Sequence, residues 1–78
     1  MSEREFEKLC KRFGMSLVKA RTSIRETALG EKKSRLVIYL RESLLLTYSD
    51  IADLLHYYDR SGARQAYTYA LQKYGKQY

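Results

Sequence analysis

Proline and tryptophan are absent from this chain, and it holds a single cysteine, a single histidine and four glycines. Without proline nothing forces a helix to kink or stop, so turns must come from other residues. One cysteine, Cys10, excludes an internal disulfide. It stands among Phe6, Leu9 and Phe13 on the apolar side of a helical run, where a thiol acts as a small hydrophobe. The lone His56 has no His/Cys/Asp cluster at metal-ligand spacing around it, and no glycine-rich phosphate loop is present. Glu3, Glu5 and Glu7 occupy alternate positions on a helix and do not converge on one site. The chain therefore reads as a non-enzyme with no cofactor and no metal. Long apolar runs are also missing. The most apolar stretch, 36–46, is interrupted by Arg41 and Glu42 and is too short to span a membrane. The charged start has no signal-peptide character, so the expectation is a soluble, cytoplasmic protein.

Acidic residues are scarce where basic ones gather. The net charge is +6, from 15 basic and 9 acidic residues in 78. Residues 8–25 contain six basic side chains and no acid, and residues 60–78 contain four and no acid. Two acid-free basic blocks suit a polyanionic partner, although a charge run is also the ordinary surface of a solvated helix. A chain of this size makes one domain with a stability on the order of 5 kcal/mol.

Apolar residues recur at helical spacing throughout, which predicts an all-α fold: a small orthogonal bundle of about five helices. Ser2 and Glu5 form a capping box opening a first helix, which Gly14 ends. Ser16 caps a short helix through Leu17, Val18, Ala20 and Arg21. Next comes an irregular connection bearing Lys19, Arg21 and Arg25; one longer helix with a break is the alternative. Gly30 then reads as a stop, and 31–46 as a long central helix with Glu31 in its first turn. Leu36, Val37, Ile38, Tyr39 and Leu40 make that helix apolar nearly all round, so others should wrap it. Lys32, Lys33 and Arg35 at its start oppose the helix dipole, which suggests that they face something negative. Tyr39, Tyr48, Tyr67 and Tyr74 are expected to pack at the rim. Tyr57, Tyr58, Tyr69 and Tyr78 are candidates for exposure.

The organising stretch is 47–73. Thr47 with Asp50 opens a helix carrying Ile51, Ala52, Leu54 and Leu55 on one stripe. The pattern stops at His56, Tyr57 and Tyr58; Asp59 and Ser61 can each cap the next helix. That second helix, 61–74, places Ala63, Ala66 and Ala70 inward, with Arg60, Arg64, Gln65, Thr68, Gln72 and Lys73 outward. Small residues inside allow close packing, while Arg, Gln and Thr outside are donors of the kind that reach phosphates and base edges. This is the pattern of a helix-turn-helix, and equally of a plain helical hairpin with a solvated polar face.

Several steps resemble the C-terminal DNA-binding domain of the bacterial replication initiator DnaA, a Trp-repressor-like helix-turn-helix. They are Gly14-Met15-Ser16-Leu17, the basic connection from Arg21 to Arg25, Tyr39-Leu40-Arg41-Glu42, and Thr47 to Ala52. The similarity runs without gaps from about Phe6 to Tyr74. At the family's G-G-R-D-H-[ST]-T-V signature this chain has His56 to Ala63; Asp59 and Ser61 agree, and the glycines, Arg, His and Thr do not. The resemblance does not extend to the family's ATPase module, so replication initiation by ATP is not carried over. The resemblance implies a bacterial protein binding double-stranded DNA. It puts Asp59 and Ser61 at the major-groove corner, Arg60 in place of the family's His, and Arg64 and Thr68 one and two turns on. It puts Lys33 where a basic residue approaches the minor groove, and Arg21 and Arg25 in the phosphate-binding loop. The amides of Ser61 and Gly62 would form a phosphate cradle. On this reading Lys19, Arg21, Arg25, Lys32 and Lys33 supply affinity, and Arg60, Arg64, Gln65 and Thr68 supply base readout. The role would be regulatory, or accessory to replication or a mobile element, and a homodimer could read two half-sites. The alternative is a protein-interaction module on the same scaffold, using the Tyr57–Tyr58 corner as a hot spot. Single-stranded nucleic acid bound by tyrosine stacking is a third reading.

Overall fold

A computed structural model of the chain describes residues 1–22 and 27–75. Five helices succeed one another: α1 Glu3–Arg12, α2 Leu17–Ala20, α3 Thr27–Glu42, α4 Tyr48–Leu55 and α5 Arg60–Tyr74, with no strand among the described residues. The all-α expectation holds. Phe6, Cys10, Leu36, Val37, Leu40, Ile51 and Leu55 are fully buried in one core drawn from α1, α3 and α4, which Ala20 of α2 and Ala63 of α5 complete. Burial of each large aliphatic or aromatic side chain contributes about 1.5–3 kcal/mol. Cys10 is a free, buried thiol, and burial pushes its pKa up.

Short polar residues set the helix starts. Ser2 Oγ accepts the Glu5 N–H at 3.2 Å while the Ser2 N–H donates to Glu5 Oε1 at 3.3 Å. Thr47 and Asp50 repeat the arrangement on α4, at 3.1 and 3.4 Å. Ser16 Oγ accepts the Lys19 N–H to start α2. Gly14 turns the chain out of α1 with φ 86°, a left-handed conformation that a Cβ would disfavour.

The central helix is displaced from its expected span. It covers Thr27–Glu42 rather than 31–46. Gly30 lies inside its first turn, where glycine costs up to about 1 kcal/mol relative to alanine without ending the helix. Glu31 is consequently not a first-turn residue; it pairs with Arg35 at 2.9 Å. Lys32 and Lys33 are the sixth and seventh residues of α3, beyond the turn where the dipole acts strongly, so the penalty expected of them falls away. The helix ends early because the chain turns at Leu45, which adopts φ 56°. Arg41 Nη1 donates to the Leu46 carbonyl at 2.9 Å and its guanidinium lies 4.5 Å from the Tyr48 ring centroid, clamping the connection. Leu44 and Leu46 still pack on the core, from a loop rather than a helix.

Tyrosines close the rim. Tyr39 packs on Phe13 and Tyr48 on Tyr67, with centroid separations of 5.4 and 6.1 Å. Tyr67 donates to Glu42 Oε2 at 2.6 Å, tying α5 to the end of α3. Tyr57, expected at the surface, is half-buried, because Lys33 and the first turn of α5 close over it. Tyr78 lies outside the described residues.

Two measurements test this account. Leu45 is 78 % exposed yet sits in the left-handed region, so Leu45→Gly should relieve strain without losing burial. We expect a gain of about 0.5–1 kcal/mol, read as a Tm several degrees higher in a thermal melt. An unchanged or lower Tm would mean that the freedom glycine adds to the unfolded chain offsets the relieved strain. Two phenols should also titrate late. Burial raises the pKa of Tyr57, and the hydrogen bond to Glu42 raises that of Tyr67, each from 10.0 to about 12. Folded values above unfolded ones mean that this stabilisation is complete below pH 10 and disappears as the pH rises through about 12. Phenolate absorbance should therefore show two delayed groups, and Glu42→Ala should return only Tyr67 toward the ordinary range.

Candidate nucleic-acid interface

The site is built by the junction of α4 and α5. His56 leaves α4 with φ 57°, and the Tyr57 N–H reaches back to the Ala52 carbonyl at 2.9 Å. Four residues, 56–59, separate the helices. Asp59 is the cap of α5: its Oδ1 accepts the Gly62 N–H at 3.1 Å. The second helix therefore begins at Arg60, one residue before the expected start.

That cap alters the expected phosphate cradle. The Gly62 amide is occupied by Asp59, through both its carbonyl and its carboxylate. The carboxylate places negative charge where a phosphate would sit. Asp59 is thus bonded into the turn, and the first turn of α5 is a poorer anion site than its residue types implied.

The inner and outer faces of α5 separate cleanly. Ala63 and Ala70 are fully buried and Ala66 and Tyr67 half-buried, so α5 lies against α3 and α4. Arg60, Ser61, Arg64, Gln65, Thr68, Tyr69, Gln72 and Lys73 are all exposed. Ser61, Arg64, Gln65, Thr68, Tyr69 and Gln72 line one open trough along the helix. Neither Arg60 nor Arg64 enters an ion pair among the described residues. Lys73 Nζ donates to the Tyr69 hydroxyl at 3.1 Å, and that bond raises the lysine pKa.

The basic residues away from α5 divide by what already holds them. Arg21 Nε donates to the Leu54 carbonyl at 2.9 Å, its Nη2 pairs with Glu3 Oε1 at 2.9 Å, and its guanidinium faces the Phe6 ring. With the side chain only 16 % exposed, Arg21 ties α1, α2 and the end of α4 together. Lys33 is half-buried: its Nζ lies 5.1 Å from the Tyr57 ring centroid and donates to the Thr22 carbonyl at 3.3 Å. Burial pushes its pKa down. Lys33 therefore braces the turn from below. Lys19 and Lys32 are exposed, and Lys32 Nζ stands 3.5 Å from the Gly14 carbonyl. Arg25 lies outside the described residues.

The structure thus gathers Arg60, Ser61, Arg64, Gln65 and Thr68 on one face, seats Asp59 and Lys33 at the turn that presents it, and commits Arg21 to the scaffold. Tyr69 was missing from the expected site. Its place beside Gln65 and Gln72 results from helical spacing once the register of α5 is fixed. No family model, curated protein or solved structure matches this chain.

Proposed function

We propose that this chain is a DNA-binding helix-turn-helix protein whose second helix, α5, enters a major groove. The observation that carries the reading is the outer face of α5: a continuous exposed stripe of Arg, Ser, Gln and Thr with no acid and two arginines outside any ion pair among the described residues. Arginine matches the acceptor edge of guanine, glutamine the paired donor and acceptor of adenine, and threonine either a base edge or a thymine methyl. Arg60, Arg64, Gln65 and Thr68 are the reading residues in this assignment. Lys19 and Lys32, both exposed, are phosphate contacts. Lys33 and Asp59 hold the turn, and Arg21 holds the scaffold beneath it. The resemblance to the DnaA domain points the same way, and with it a bacterial, nucleoid-associated protein, regulatory or accessory to replication or a mobile element. A homodimer would give it two half-sites.

The second reading, a protein-interaction module, draws on Tyr58. It is fully exposed at the turn while its neighbour Tyr57 is packed.

A titration of labelled random-sequence duplex DNA at low and moderate salt separates the two. Binding should weaken with salt at a log–log slope of about −0.9 per neutralised phosphate. Arg60→Ala/Arg64→Ala should bind more weakly, with a slope shallower by about one unit for each arginine that sat on a phosphate. Affinity indifferent to salt, or equal in the double variant, would overturn the DNA reading and favour a protein partner.

A further inference from the structure

The two adjacent tyrosines at the α4–α5 corner look equivalent in sequence and have opposite situations in the fold. Tyr57 is anchored. The Lys33 ammonium covers its ring, and a Cβ added at Gly62 would stand only 3.3 Å from the Tyr57 Cβ, so the first turn of α5 closes against it. Tyr58 is fully exposed, the most exposed large apolar side chain among the described residues. Its backbone is fixed from both sides. The Tyr57 N–H is bonded to Ala52, and Asp59 is bonded to Gly62. A fully exposed ring on a pinned turn meets a partner without the backbone first having to be ordered, which favours a role in recognition over one in folding.

The surroundings select the partner. A protein hot spot is an aromatic ringed by residues that exclude water. The chain around Tyr58 instead offers His56, Asp59, Arg60 and Ser61, all polar and all exposed. Tyr58 also stands just ahead of the helix whose first residues meet base edges in a helix-turn-helix. In a major groove, the apolar feature available to a phenol ring is the thymine 5-methyl group.

We propose that Tyr58 is a specificity-determining residue that packs its ring on a thymine 5-methyl group at the edge of the site read by α5. The proposal rests on the DNA-binding reading above. Arg60 and Arg64 supply hydrogen bonds and charge. Tyr58 supplies an apolar contact that distinguishes thymine from cytosine, and from uracil, which lacks only the methyl.

The test uses that single-methyl difference. A preferred site is first selected from a random duplex pool, and each thymine in it is then replaced in turn by deoxyuridine. At one position, wild-type protein should lose about fourfold in affinity, the worth of one buried methyl. Tyr58→Ala should bind thymine and uracil duplexes equally, with an unchanged salt slope because no charge is removed. Tyr58→Phe should keep the wild-type preference, since the ring and not the hydroxyl makes the contact. Both variants should fold as wild type by circular dichroism, the side chain being fully exposed. The proposal is overturned if no position shows a uracil penalty, or if Tyr58→Ala keeps the same penalty. In those cases salt-dependent binding that Arg60→Ala/Arg64→Ala weakens would leave the DNA reading standing. Failure to bind any duplex would remove both, and would leave the exposed ring for a protein partner.

Discussion

The close approach of α5 to α3 and α4 depends on alanine. Ala63, Ala66 and Ala70 face inward at helical spacing, two of them completely buried. Leucine at either buried position would hold the helix away from its neighbours or drive side chains into strained rotamers. Because the inner face is so thin, α5 relies on fixings at its ends and edges. Asp59 caps it and Tyr57 wedges beneath its first turn. Tyr67 ties its middle to Glu42 of α3. At the far end the chain leaves through Gly75, where a Cβ would come within 2.7 Å of the Leu71 carbonyl oxygen. The outward stripe is presented rigidly because these contacts, and not the stripe itself, hold the helix.

Cations serve two purposes that net charge does not distinguish. Arg21 and Arg41 each donate to a carbonyl at or beyond a helix end and lie against an aromatic ring. Lys33 does the same with Thr22 and Tyr57. Guanidinium suits the task, being flat, permanently charged and weakly hydrated, so it can pack on a ring while its edge satisfies a carbonyl. The field outside the protein still includes these charges. The contacts available to a partner do not; of the basic residues in the expected site that are described, Arg60, Arg64, Lys19 and Lys32 stay exposed and outside any ion pair.

Local rules were legible in the sequence. The Ser2 and Thr47 boxes, the Ser16 cap, the Gly14 turn and the alanine face of α5 appear where residue type and spacing put them, because each is a contact across three or four residues. Readings that needed partners from afar fared less well. Gly30 looked like a stop, since glycine commonly ends helices, yet the helix continues through it. Leu44 and Leu46 looked helical because they are apolar, and they are packed from a loop. Arg21 looked available for phosphate, and its partners Glu3 and Leu54 lie 18 and 33 residues away in sequence. Tyr57 and Tyr58 had the same composition around them, and the positions of Lys33 and of the first turn of α5 separate the packed ring from the free one. The outer face of α5 was readable as a surface. The DNA ligand proposed for it rests on the resemblance to the DnaA domain and on donor chemistry, neither of which is geometry.

The division of α5 into a sparse inner seam and an outer stripe that supports nothing has an evolutionary side. Substitutions at Arg64, Gln65, Thr68 or Gln72 remove no buried contact and no bond that holds the bundle, so the fold tolerates them almost freely. Surface changes of this kind cost within about 0.5 kcal/mol in either direction. A lineage could drift through many versions of that stripe while the bundle persisted, and a combinatorial library built on those positions would inherit the same latitude.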